Sequence, residues 1–152
     1  MAPSDTPLAQ KLTAASLTDD LSFLLARANA LSLAAGNAAL AGHGLKARSY
    51  SVLALAVDGA HPSQRELAAF LRLDPSQVVA LVDDLQRRGL VERRPDPSDR
   101  RANVVLATDA GRTLHASARE AAQSAERELH AGLDDDERAQ LAALLRRIAF
   151  AD

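Results

Sequence analysis

Residues 63–108 read SQRELAAFLRLDPSQVVALVDDLQRRGLVERRPDPSDRRANVVLAT. The order of start and stop signals in this stretch defines a fold. Ser63 and Glu66 form an S-x-x-E capping box ahead of Leu67, Phe70 and Leu71, so a helix begins there. Asp74 is the N-cap of the next helix, with Pro75 at its first position and Gln77 at its third. This is the fourth helix of the chain; it runs to Arg88, and Gly89 closes it. Val91–Arg94 and Asn103–Leu106 are short strand candidates on either side of the turn PDPSDRR. Two short helices followed by an arginine-rich hairpin is the layout of a winged helix-turn-helix. That module sets one helix in the DNA major groove and a hairpin beside it.

The flanks are helical. Thr18, Asp19 and Asp20 suit a helix start. Leu21, Leu24, Leu25, Ala28, Leu31, Ala35 and Ala38 then recur at helical spacing until Gly42 and Gly44. The small, Ala-rich surface of that helix suits close packing against a neighbour, including one from a second subunit. A second helix spans Lys46 to Val57, with Tyr50, Leu53 and Val57 on one face and Asp58-Gly59 as its stop. Thr108 caps a fifth helix through Leu129. Asp134 and Glu137 open a sixth, whose apolar face is Leu141, Leu144, Leu145 and Ile148. The expected fold is mainly α with a small β-hairpin wing. Residues 1–15 are polar and Pro-containing, and are expected to fray.

At 152 residues the chain is one domain, or one compact unit with helical extensions. Residues are 47% apolar but only 3% aromatic, so the core is Leu, Ala and Val. There is no cysteine, which excludes disulfides and thiolate metal sites. No uninterrupted apolar run approaches the roughly 20 residues of a membrane span, and the N-terminus lacks a signal-peptide core. A cytoplasmic protein without membrane contact is expected. The net charge of −2 argues against coating nucleic acid by bulk charge, so DNA binding requires local clustering. Arg87, Arg88, Arg93, Arg94, Arg100 and Arg101 supply such a cluster, while acids gather between Glu120 and Glu137. A solvated cationic face is the plainer account of the same clustering.

On the fourth helix Val78, Leu81, Val82 and Leu85 share one side and form core. Ser76, Ala80, Asp83 and Arg87 lie opposite, with Gln77 and Val79 on the flanks. The first half of that face is small and uncharged, as a groove-inserted helix needs. Gln77 fits either an adenine edge or the capping box; Val79 or Ala80 fits a thymine methyl. In the wing, Asp99 stands two residues before Arg101 and can hold its guanidinium in one pose, or make only a surface ion pair.

The run LVDDLQRRGLVERRPDPSDRR, with the D-x-R of Asp99 and Arg101, resembles the MarR family of bacterial transcription regulators over residues 20–150. The resemblance implies a winged-helix domain, residues 46–108, on a helical dimerisation region built from residues 16–45 and 109–152. It implies a homodimer on a pseudo-palindromic double-stranded DNA site, acting as a repressor relieved by a small-molecule effector. It also implies that Arg101 enters a minor groove with Asp99 in support. The chain departs from the family pattern at Val79-Ala80, where Thr-Arg is common, at Asp84, where a base is common, and at Ala107-Thr108, where Leu-Thr is usual.

The DNA-contact candidates are Ser63, Ser76, Gln77, Val79, Ala80, Arg87, Arg88, Arg94, Asp99, Arg100 and Arg101. The family's effector pocket directs attention to the first two helices, where Phe23, Arg27, His43, Arg48 and Tyr50 are the polar or aromatic candidates; each also reads as plain core or surface. No Gly-rich phosphate loop, nucleophile elbow or H-E-x-x-H pattern is present, so no enzyme activity and no catalytic residue is expected. The four histidines are scattered, and neither a metal nor a cofactor is expected. The alternative function is a winged-helix dimer that engages mainly a protein partner.

Overall fold

The structure, a computed structural model, describes residues 12–151. The expected frayed terminus at residues 1–15 therefore lies mostly outside the described residues. Among the described residues the helices are α1 (Leu21–Leu40), α2 (Ala47–Val57), α3 (Gln64–Leu71), α4 (Pro75–Arg87), α5 (Asp109–Leu129) and α6 (Asp135–Ala149). Strands β1 (Val91–Pro95) and β2 (Asn103–Ala107) separate α4 from α5, and short 3-10 turns flank α1 at Ser16–Asp19 and Ala41–His43. The fold is mainly α with a hairpin wing, as expected.

Contacts divide the chain into two compact units, one ending at Ala34 and one running from Ala35 to Asp152. In the first unit Leu21, Leu24, Leu25, Leu31 and Leu33 are all exposed. The helical stretch Leu21–His43 has a window of mean hydropathy 1.2, long and apolar enough by length and composition to cross a bilayer. Core helices of soluble proteins meet the same measure, and an uninterrupted apolar run of that length is absent from the stretch, as expected. Asn29, Ser32 and Asn37 interrupt the run, but Ala and Leu dominate the average.

The second unit holds the core. Leu40, Leu45, Val52, Leu53, Leu67, Val78, Val82, Leu85, Val91 and Val105 are buried together. Side-chain capping sets the helix starts. The Ser63 hydroxyl accepts the Glu66 N–H at 3.2 Å and donates to Glu66 Oε2 at 2.8 Å. Asp134 and Glu137 reciprocate at 2.8 and 2.9 Å. Thr108 Oγ1 accepts the Gly111 N–H at 3.1 Å and donates to the Gly89 carbonyl at 2.6 Å. Gly44 and Gly89 take the left-handed conformation that a helix stop requires.

β1 and β2 pair antiparallel from Val91 with Ala107 to Pro95 with Asn103. A third extended segment joins them: Ser63 bridges Val104, and the Val105 N–H donates to the Pro62 carbonyl at 2.8 Å. The hairpin is thereby tied to the residues that start α3.

Candidate nucleic-acid interface

Helix α4 begins with a dense polar knot. Asp74 Oδ1 accepts the Ser76 hydroxyl at 2.6 Å and the Ser76 N–H at 2.9 Å, and these bonds hold its carboxyl below the ordinary range. The Gln77 reach-back to the Asp74 N–H is long, at 3.4 Å. It leaves the Gln77 amide N–H groups uncommitted among the described residues, so both uses predicted for Gln77 are open to it. Val78, Val82 and Leu85 are buried, and Leu81 is half-buried. Ser76, Gln77, Val79, Ala80, Asp83 and Arg87 are exposed. Val79 leaves an apolar side chain 40% in solvent.

Beside this helix, the wing tip is closed by its own polar groups. Asp96 Oδ1 accepts the hydroxyl and N–H of Ser98, each at 2.7 Å, and its carboxyl is lowered by them. The Ala102 N–H donates to the Asp99 carbonyl, and the Asp96 N–H to the Ala102 carbonyl. Asp99 Oδ1 accepts the backbone N–H of Arg101 at 3.0 Å. This corrects the expected Asp99–guanidinium pair. A carboxylate two residues upstream reaches the amide first, in an Asx-type turn. The Arg100 and Arg101 side chains are exposed and form no ion pair among the described residues. Arg94 pairs with Glu92 at 2.5 Å on the outer side of the strand.

Other candidates are used within the protein. Ser63 is engaged with Glu66 as above. The Arg88 guanidinium donates to the Gly44 carbonyl at 2.8 Å and the His43 carbonyl at 3.4 Å, and lies 3.5 Å from Asp84. These bonds join the end of α4 to the turn after α1. Asp84 also pairs with Arg87 at 3.2 Å. Arg93, grouped with the wing-tip cations in the sequence, turns inward onto α3 and α4. The signal was present: strand alternation puts Arg93 on the side of buried Val91.

Of the five effector candidates, two lie in the first unit and three in the second. Phe23 is half-buried and Arg27 exposed in the first unit; His43, Arg48 and Tyr50 belong to the second. His43 Nε2 lies 2.9 Å from Ser117 Oγ. Tyr50 stacks on His115 with ring centroids 5.5 Å apart, and Arg48 is exposed. Burial pushes the Tyr50 hydroxyl up and the His115 imidazole down. Sequence reading did not single out Ser117 or His115 as effector candidates; both lie on α5 within three residues of buried Ala118. Two concavities, of about 430 and 260 Å³, lie along α3, toward α4 and toward the wing. None of the five candidates lines either. Among the described residues no group of three or more His, Asp or Glu could hold a metal.

A pH prediction follows from the caps. The Glu66, Asp74 and Asp96 carboxyls are all lowered in the fold by Ser63, Ser76 and Ser98. Their contribution to stability is complete above the unfolded carboxyl range, near about 4, and is lost as pH falls through the lower folded values. Amide exchange at 63–77 and 96–102, corrected for intrinsic rates, is expected to show constant protection from pH 5 to 8. Loosening is expected only in more acidic solution. Loosening already at pH 6 would mean that these carboxylates do not control the caps.

Residues 43–102 match the MarR family. A MarR-family transcriptional regulator from Rhodococcus sp. RHA1 is 43% identical with a TM-score of 0.85, covering 91% of this chain and 99% of that one. CouR from Rhodococcus jostii RHA1, solved with p-coumaroyl-CoA, is 44% identical with a TM-score of 0.83, covering 91% and 98%. A transcriptional repressor CouR solved on a 23-mer DNA duplex is 32% identical with a TM-score of 0.80, covering 88% and 94%. A protein of Thauera aromatica assigned as a regulator for the hcr operon is 31% identical over 99 residues. That match covers 65% of this chain and 60% of the relative, less than two thirds of its length.

Proposed function

The chain belongs to the MarR family of transcription regulators, and from this we propose a homodimeric repressor that binds a pseudo-palindromic DNA duplex in the cytoplasm and is released by a small molecule. One observation carries the reading. An exposed, small and mostly uncharged helix face, Ser76, Val79 and Ala80, stands on the same helix-turn-helix as a hairpin tip bearing the exposed cations Arg100 and Arg101. Short side chains let the α4 backbone approach base edges, and the wing cations suit an adjacent minor groove. Gln77, Arg87 and Arg94 border these surfaces and complete the proposed contact set. Residues 46–108 form the DNA-binding part in this proposal. Residues 16–45 and 109–152 form the dimerisation part, where α1 and α6 carry uncovered leucines.

The effector class proposed for first testing is an aromatic acyl-CoA thioester, because a protein 44% identical was solved with p-coumaroyl-CoA. Supporting it on this chain are the Tyr50–His115 stack and the His43–Ser117 contact, which put aromatic and hydrogen-bonding groups on α2, α5 and the turn after α1.

The test is selection of bound duplexes from sheared genomic DNA, with a salt series on the enriched sequence. Half-sites about one helical turn apart and a steep fall of affinity with salt are expected. Weak, uniform binding to every fragment would leave a protein partner as the better account. Arg101→Ala is expected to weaken operator binding by about 1–3 kcal/mol; unchanged affinity would remove the wing tip from the interface.

A further inference from the structure

Arg93 on β1 gathers three side chains from two helices. Its Nε donates to Gln64 Oε1 at 2.8 Å, and one terminal nitrogen donates to Gln86 Oε1. The other donates to Asp83 Oδ1 at 2.5 Å. Arg93 is 24% exposed and Asp83 is 53% exposed. Asp83 lies three residues beyond Ala80, on the α4 face proposed to enter the groove.

A carboxylate on that face works against binding. Duplex DNA carries one negative charge for roughly every 1.7 Å of its axis, and an ionised carboxylate has no donor to offer a phosphate or a base acceptor. We infer that Arg93 is a positioning residue that masks the Asp83 carboxylate, turning the acid back toward β1 so that α4 presents no bare negative charge to DNA. The inference rests on the DNA-binding reading above. The planar guanidinium suits the task because it sends N–H groups in separate in-plane directions, which an ammonium does not do in fixed geometry. A purely mechanical clamp between β1 and the helices would use the same contacts, but it makes Asp83 an asset rather than a liability.

The experiment measures affinity for the duplex that the wild-type protein enriches, using wild type, Arg93→Ala, Asp83→Asn and the double variant, with thermal melts of each. Arg93→Ala is expected to weaken binding by about tenfold or more. Asp83→Asn alone should bind within about fivefold of wild type or more tightly. The double variant should recover most of the loss. Arg93→Ala binding like wild type would overturn the inference. So would Asp83→Asn losing as much as Arg93→Ala, or a double variant without recovery. If Arg93→Ala fails to fold, Asp83→Asn still separates the two accounts, because masking predicts binding within about fivefold of wild type or tighter and a clamp predicts a loss of about tenfold or more. A wild-type protein that enriches no duplex would overturn the DNA-binding reading itself, a result distinct from all of these.

Discussion

Gly111→Ala is expected to lower the stability of the protein by about 3 kcal/mol, because it meets the closest Cβ contact of any glycine in the chain. A Cβ at Gly111 would stand 2.0 Å from the Leu90 carbonyl oxygen, 3.0 Å from its carbon and 3.3 Å from Leu53 Cδ1. The first obstacle is backbone, which cannot rotate away as a side chain can. The Leu90 carbonyl also accepts the Thr108 N–H at 3.1 Å, so moving it strains the start of α5 as well as the entry to β1. Helix propensity favours Ala over Gly by about 1 kcal/mol, and the clash is expected to outweigh that gain. A urea titration should show a reduced midpoint, and a thermal scan a fall on the order of 10 °C. A midpoint within error of wild type would mean that the α5–Leu90 junction yields freely.

The second large effect concerns assembly. Leu144 and Ile148 on α6 are 46% and 63% exposed, and Leu141 and Leu145 lie beside them on the same exposed face. In the proposed homodimer this face is covered by a partner. Leu144→Glu would then bury an unpaired carboxylate, which is strongly destabilising in an interface, while leaving the core around Leu53 and Leu85 untouched. The expected result is a folded monomer by light scattering. Losing the second half-site contact should weaken operator binding by about 100-fold or more, with little change for an isolated half-site. A Leu144→Glu protein that remains dimeric and binds normally would show that α6 is not the assembly surface.

Local signals carried most of the fold. The Ser63–Glu66, Asp74–Gln77 and Asp134–Glu137 boxes and the Thr108 cap each involve residues three apart, so a helix start is written where it occurs. The hairpin strands agree with the sequence reading to within a residue at their ends. What local patterns did not show depends on contacts between distant segments. Arg93 meets Gln64 across 29 positions, and Arg88 meets the Gly44 carbonyl across 44. No periodicity encodes such pairs, and the sequence reading placed Arg93 among the wing cations although alternation puts it on the same side of the strand as Val91. Gly111 carries no turn or left-handed geometry to announce it; only the approach of Leu90 explains it. Arg72 caps α3 at φ 54°, a left-handed position where glycine or asparagine would have been the readable signal.

The division of α4 into a buried and an uncovered side has an evolutionary consequence. Val78, Val82 and Leu85 are fully buried, so substitutions there are constrained by packing. Val79 and Ala80 contribute little to the core and to the Asp74 cap, so their replacement leaves the fold nearly as stable as before. Under the proposed reading, those same positions face the operator. Binding preference can therefore drift, or be redirected by a library at two codons, along paths on which every intermediate still folds.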